Sequence, residues 1–311
     1  MQKTAFLFPG QGSQSVGMLS GLATETGLVE ETFAEASDVL GYDLWQVTQN
    51  GPEEQLGRTE ITQPALLAAS IATWRVWKSI GGANPDYLAG HSLGEYSALV
   101  AAGSLAYPDA VALVAERGRK MQEATPAGSG AMAAILGLDN DVLATVCEQA
   151  AEGQVVSCAN FNSPGQVVIA GEKDAVNRAC ALASEAGARR AIPLAVSAPS
   201  HCALMQPAAE AMTKTLTGIE LAEGRIPVIH NVDVSEHGSA DEIRRALVLQ
   251  LSQPVRWSDT IEWLIKVGVA QFAECGPGKV LTGLNRRISR DVSTVALSDL
   301  ETLEETKENW S

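Results

Sequence analysis

Tyr87-Leu88-Ala89-Gly90-His91-Ser92-Leu93-Gly94-Glu95-Tyr96-Ser97-Ala98-Leu99-Val100-Ala101-Ala102 passes from an apolar run to a helical pattern across one glycine-flanked serine, with no hairpin signal between them. The spacing predicts a strand, a sharp turn and a helix that meet at Ser92. In a G-x-S-x-G turn the serine occupies a strained corner with Oγ exposed, and the next N–H, that of Leu93, lies at a helix N-terminus. The positive helix end and that N–H stabilise the oxyanion formed when Oγ attacks a carbonyl carbon, so the geometry suits acyl transfer. With glycine and serine each near 7% of residues, about one chain of this length in ten matches by chance. The ordinary alternative, a β-α turn with a capping serine, therefore stays open.

Outward from this stretch the same alternation continues. Lys3 to Phe8 reads as an apolar strand ending in the glycine-rich Pro9-Gly10-Gln11-Gly12-Ser13-Gln14, a strand, loop and helix opening. Thr62 to Ile80 carries apolar residues at helical spacing, with Thr62 and Pro64 fitting an N-cap and an early-turn proline. From Ala131 the rhythm changes to strand 131–136, helix 139–151, strand 155–159, a turn at Asn162-Ser163-Pro164-Gly165, strand 166–170, helix 172–186 and strand 190–196. This β-α-β-β-α-β order is the ferredoxin-like split βαβ unit, of a size to be an insert in a larger sheet domain. We bound the insert at 129–197. Ile226–Ile229 and Gln271–Ala273 then read as buried strands, and Ala240–Leu251 and Ser258–Val267 as helices, so the large domain resumes over 198–311 and is discontinuous with 1–128. Glu301 to Ser311 holds four glutamates and no apolar period, which reads as a frayed, solvated tail.

The 311 residues are 46% hydrophobic and 19% charged, a globular balance that excludes disordered and fibrous classes. No run approaches 18 apolar residues, and Ala5-Phe6-Leu7-Phe8 stops at Pro9, too short for a signal h-region. A soluble, unexported, cytoplasmic chain is expected. Lys and Arg number 22 against 37 Asp and Glu, a net charge of −15, which argues against nucleic-acid or anionic-membrane binding outside a local basic patch. Cys147, Cys158, Cys180, Cys202 and Cys275 form no CxxC pair, and no histidine stands at metal-ligand spacing, so reduced thiols and no metal are expected.

A serine nucleophile needs a base. His91 adjoins Ser92 on the same tight turn and is poorly aimed; His237, among Ser235, Glu236 and Gly238, reads as a surface turn residue. His201 lies in Ala198-Pro199-Ser200-His201-Cys202, where the insert returns to the large domain, and can project into an interdomain cleft. A hydrogen-bonded structural histidine is the alternative. Arg117, near the end of a helical segment, is either a C-terminal cation favoured by the helix dipole or a two-bond clamp for a substrate carboxylate.

Taken together, Phe8-Pro9-Gly10-Gln11-Gly12-Ser13-Gln14, Gln63-Pro64-Ala65, Gly90 to Tyr96, Arg117-Gly118 with Met121-Gln122, Ser200-His201, Gln250 through Pro254-Val255-Arg256-Trp257, and Gly276-Pro277-Gly278 occur in an order that resembles the malonyl-CoA:acyl-carrier-protein transacylases of bacterial type II fatty acid synthesis, over residues 2 to about 297. The resemblance implies an α/β-hydrolase-like large domain with a parallel sheet and an inserted ferredoxin-like domain. It implies Ser92 as nucleophile, His201 as general base and the main-chain carbonyl of Gln250 as the group orienting the imidazole. The N–H groups of Gln11 and Leu93 would form the oxyanion hole, and Arg117 would hold the free carboxylate of malonate. Gln63, Met121, Ser200, Asn231 and Val255 fall where the family lines its acyl pocket. No cofactor is implied; the partners are malonyl-CoA and acyl carrier protein, met by a monomeric chain.

Polyketide acyltransferases selecting malonyl units commonly have Phe before the histidine, where this chain has Ser200; discrete bacterial transacylases carry serine there too. The malonyltransferase subunit of malonate decarboxylase shares much of the pattern. Outside the family, a serine hydrolase could share the elbow and base, and a non-catalytic carrier-binding scaffold would use Ser92 only as a cap. Lys279, Arg286, Arg287 and Arg290 recur at helix-compatible spacing without an acid before Asp291. They form a candidate docking patch for an acidic carrier, or else a solvated helix face.

Overall fold

The computed structural model describes every residue except Met1, Ala127, Val196, Ser197 and Ser311. Its strands among the described residues are β1 (Lys3–Phe8), β2 (Tyr87–Gly90), β3 (Gly130–Leu136), β4 (Val156–Ser163), β5 (Gln166–Glu172), β6 (Arg190–Pro193), β7 (Val228–Ile229), β8 (Val269–Cys275) and β9 (Ser293–Leu297). Five of them form a parallel sheet in the order β7-β2-β1-β8-β9. Ala5 to Phe8 is wholly buried, as expected for a central strand covered on both faces. The other four pair antiparallel as β4-β5-β3-β6, the strand order of a ferredoxin-like unit. Helices Asn140–Ala151 and Lys173–Glu185 bury Leu143, Val146, Val176 and Ala179 against it. The expected strand end at Val196 lies outside the described residues.

The two sheets are stitched together by backbone. Val255 N–H donates to Ala159 O at 2.9 Å and Phe161 N–H donates to Val255 O at 2.9 Å, so β4 borrows one residue of the large domain as a partner. This seats Asn160 and Asn162 opposite the loops that leave the parallel sheet.

Three expectations need correcting. The helix expected from Thr62 begins at Thr59 after Arg58, and Pro64 lies inside it; Thr62 turns its hydroxyl back to Leu56 O instead of capping. Asn162 and Ser163 belong to β4, leaving Pro164-Gly165 as the turn. The C-terminal segment is not a frayed tail: Leu300–Trp310 is a helix. Asp299 caps it by accepting from Thr302 N–H at 2.8 Å, and Leu303 is fully buried. The Trp310 ring meets Phe6 edge-on at 5.6 Å. Leu300, Leu303, Thr306 and Trp310 share one face, a stripe that the glutamates between them conceal.

Candidate active site

In an open parallel α/β sheet ligands bind beyond the carboxyl ends of the strands, and the segments leaving β1, β2 and β7 converge here. After β2 the chain turns through His91, whose N–H donates to Phe8 O at 3.0 Å, and enters helix Gly94–Ala102. Ser92 sits at the corner with φ 51°, a left-handed conformation that costs a residue with Cβ about 1 kcal/mol or more. Both flanking glycines are required by close approach. A Cβ on Gly90 would lie 1.9 Å from the Gly94 carbonyl carbon, and one on Gly94 would lie 2.0 Å from Phe8 O. Ser92 does not cap the helix, which has no side-chain cap.

His201 approaches from across the cleft, also with positive φ (63°). Its N–H donates to Leu251 O at 3.1 Å, and its Nδ1 lies 2.7 Å from Gln250 O. A carbonyl can only accept, so Nδ1 carries the proton and Nε2 is left as an acceptor. Nε2 lies 2.7 Å from Ser92 Oγ. Burial first, and the nearby Arg117 cation second, push the His201 imidazole down to about 3, which keeps it neutral at physiological pH. Gln250 stands in the last turn of helix Ala240–Ser252, whose start is fixed by a capping box between Ser239 and Glu242.

Arg117 is 1% exposed, far from the solvated helix-end cation of the bland alternative. Its Nη1 donates to Gln63 Oε1 at 2.8 Å, while Nη2 donates to Gln250 Oε1 at 2.8 Å and to Ser92 Oγ at 3.2 Å. The guanidinium lies over the Tyr96 ring at 5.4 Å. Burial lowers its pKa, yet guanidinium keeps its proton in proteins. It has no carboxylate ion pair among the described residues, and its buried Nε has no partner.

A cavity of about 390 Å³ opens onto these groups. Gln11, Leu93, Arg117, Met121, Ser200 and His201 line it with Ser92. The N–H groups of Gln11 and Leu93 have no acceptor among the described residues, so both stay available to an oxyanion. Gln63, Asn231, Gln250 and Val255 stand behind the cavity wall, all fully buried. Gln63 donates to Met121 Sδ at 3.4 Å; Asn231 accepts Ser92 N–H at 2.7 Å and donates to Gly90 O at 2.7 Å, bracing the elbow; Val255 makes the β4 bridge. His91 is turned away onto Asn162 Oδ1 at 2.8 Å. His237, expected on a surface turn, is only 18% exposed and packs its ring 4.9 Å from that of His230.

Lys279, Arg286, Arg287 and Arg290 are all exposed along and beyond helix Val280–Ile288, whose Val280, Leu281 and Leu284 line the cavity. Glu274 fixes that helix by accepting from Leu281 N–H at 3.0 Å and Thr282 N–H at 2.8 Å. Sequence reasoning assigned no role to Glu95, Asn160, Asn162 or Gln166. For Glu95 a signal existed, a carboxylate inside an otherwise apolar helical stretch; the asparagines carried none.

The acyl transferase domain family matches residues 5–300. Malonyl CoA-acyl carrier protein transacylase of Haemophilus influenzae is 58% identical over 301 residues, covering 96% of each chain. The Escherichia coli K12 protein of the same name is 58% identical over 299 residues, covering 96% of this chain and 97% of its own. Among solved structures, a holo type II PKS acyl-carrier protein in complex with its malonyl-transacylase matches with TM-score 0.98 and 57% identity, over 99% of both chains. An acyl carrier protein S-malonyltransferase from Vibrio cholerae matches at TM-score 0.96 and 56% identity, over 98% of this chain and 100% of its own. Likeness over nearly every residue, with the large parallel sheet and the small antiparallel one both reproduced, means that this chain belongs to the acyl transferase domain family and, within it, to the malonyl CoA-acyl carrier protein transacylases.

Proposed function

We propose that the chain moves a malonyl group from coenzyme A to the phosphopantetheine thiol of an acyl carrier protein, by a ping-pong Ser-His mechanism in cytoplasmic fatty acid synthesis. One observation carries the chemistry: Ser92 Oγ stands between His201 Nε2 at 2.7 Å and the buried Arg117 guanidinium at 3.2 Å. His201 takes the Ser92 proton as Oγ bonds to the thioester carbonyl carbon, and the oxyanion is received by the N–H groups of Gln11 and Leu93. Collapse breaks the C–S bond, and the imidazolium returns its proton to the departing coenzyme A sulfur. Malonyl-Ser92 then waits for the carrier thiol, which repeats the two steps in reverse. Gln250 O favours the productive imidazole tautomer and stabilises the imidazolium, so no third carboxylic acid is needed.

Arg117 supports malonyl over neutral acyl groups. Its Nη2 reaches the nucleophile and its unpartnered Nε offers a second donor, so a carboxylate two atoms from the acyl carbon can be held by a charge-assisted pair. The same buried cation disfavours a lipase-like hydrolase. Gln63 and Met121 hold and flank the guanidinium, Ser200 completes the wall, and Asn231 and Val255 support it from behind. In this reading 1–128 and 198–311 form the catalytic domain and 129–197 the insert, with the acyl group between them.

Carrier docking falls to the cations around helix Val280–Ile288. Arg287, with Arg189 and Arg190, lines a second cavity of about 400 Å³ that shares Gln166 with the first. A chain with net charge −15 needs such a local positive face to meet an acidic carrier. The test is intact-protein mass spectrometry after separate exposure to malonyl-, methylmalonyl- and acetyl-CoA, followed by holo carrier protein. A malonyl adduct on Ser92 that moves to the carrier supports the reading; free malonate without transfer means a hydrolase, and no adduct at all refutes it.

A further inference from the structure

The Gln250 side chain is fully buried and occupied at both ends. Its Nε2 donates to Ser92 O at 3.0 Å and to Glu95 Oε2 at 2.9 Å, while its Oε1 accepts from Arg117 Nη2 at 2.8 Å. An amide can be turned end for end at little cost unless its partners forbid it. Here a turned amide would set its oxygen against a carboxylate and a carbonyl, and its NH2 against a guanidinium. The Glu95 carboxylate, with Ser92 O and the Arg117 guanidinium, makes the observed orientation the only satisfied one.

Glu95 is itself 0% exposed and saturated with donors. Oε1 faces His230 Nδ1 at 2.7 Å, and Oε2 also accepts Asn231 N–H at 3.0 Å. An uncompensated buried cation is costly, and Arg117 has no direct carboxylate partner among the described residues. Glu95 stands one amide away, so the Gln250 dipole, with its oxygen on the cation and its NH2 on the anion, links the two charges.

We propose that Glu95 is a positioning residue for acyl-group selection: acting through the Gln250 amide, it holds the Arg117 guanidinium at Ser92 in the pose that receives a substrate carboxylate. The inference rests on the malonyl-transfer reading above and extends it to a residue that touches neither substrate nor nucleophile side chain. A generic structural role for Glu95 would affect every acyl donor alike; the positioning role affects the donor with a carboxylate.

The experiment measures kcat/KM for Ser92 acylation by malonyl-CoA and by acetyl-CoA in the same variants. Glu95→Ala is expected to lower the malonyl-to-acetyl ratio about 10- to 100-fold, the scale of one charge-assisted hydrogen bond. Glu95→Gln is expected to fall between wild type and Glu95→Ala, because its oxygen can still face Gln250 while the balancing charge is lost. In an Arg117→Ala background, Glu95→Ala should leave the ratio where Arg117→Ala set it, since the two act in series. Gln250→Met, which keeps the main-chain carbonyl on His201, should reproduce the loss and leave the ratio insensitive to Glu95→Gln, a comparison that carries the test if Glu95→Ala does not fold. Equal losses on both donors, or effects that add to those of Arg117→Ala, overturn the proposal. Failure of the wild-type protein to form malonyl-Ser92 would instead overturn the functional reading, a separate outcome.

Discussion

Removing the Arg117 charge should raise the pH at which His201 stops working. The imidazole is held at about 3 by burial and then by Arg117, and only the neutral imidazole can accept the Ser92 proton. Both groups contact Ser92 Oγ, at 2.7 and 3.2 Å, so Nε2 and the guanidinium nitrogen are at most about 6 Å apart. At that separation and an effective dielectric near 20, the repulsion between imidazolium and guanidinium is roughly 3 kcal/mol, or about 2 pH units before water enters the space left by the side chain. Water entry relieves burial and moves the imidazole the same way. In Arg117→Ala the acid limb of acylation should therefore rise by about 2 pH units or more, towards the ordinary imidazole range. The assay is quenched-flow acylation of Ser92 by acetyl-CoA between about pH 3.5 and 8, with circular dichroism to confirm folding at each pH. Acetyl-CoA is the donor of choice because it has no carboxylate to titrate or to neutralise Arg117. With malonyl-CoA, bound carboxylate cancels the cation, so the limb for kcat should lie above that for kcat/KM. A limb in Arg117→Ala that stays put or moves down would falsify this electrostatic account, and a wild-type limb near 6.5 would mean that burial and Arg117 do not hold the imidazole down.

Ser92→Ala should form no acyl-enzyme by mass spectrometry, and His201→Ala should slow both half-reactions by about 100-fold or more while leaving coenzyme A ester binding nearly intact; matching losses in binding would mark His201 as structural. Reversing Arg286 and Arg287 to Glu should raise the KM for the carrier and flatten its salt dependence without altering Ser92 malonylation by malonyl-CoA, and unchanged carrier kinetics at low ionic strength would remove that helix from the docking surface. Leu303→Ala should destabilise the protein by about 2 to 4 kcal/mol, because it empties a fully buried site, and a melting temperature equal to wild type would return the last helix to the status of a tail.

The sequence alone determined the features whose causes are local. The elbow at Ser92 follows from two glycines and the switch from strand to helix spacing within sixteen residues, and the antiparallel unit from the order of short periodic segments between 130 and 193. Family motifs then named Ser92, His201, Gln250 and Arg117, since each lies in a recognisable segment. What those side chains touch was not legible. Ser92 and His201 are 109 residues apart, and Gln250 reaches back 155 residues to Glu95; such pairings leave no trace in local periodicity. The C-terminal helix escaped for a related reason. Its glutamates dominate the composition, while Trp310, one of the few residues that dock it, finds its partners on β1 and on helix Thr59–Ser79. Only the tertiary structure decided that Arg117 is a buried charge rather than a surface cation, and that Glu95 balances it through one amide, because burial and hydrogen-bond closure belong to the assembled core and not to any one segment.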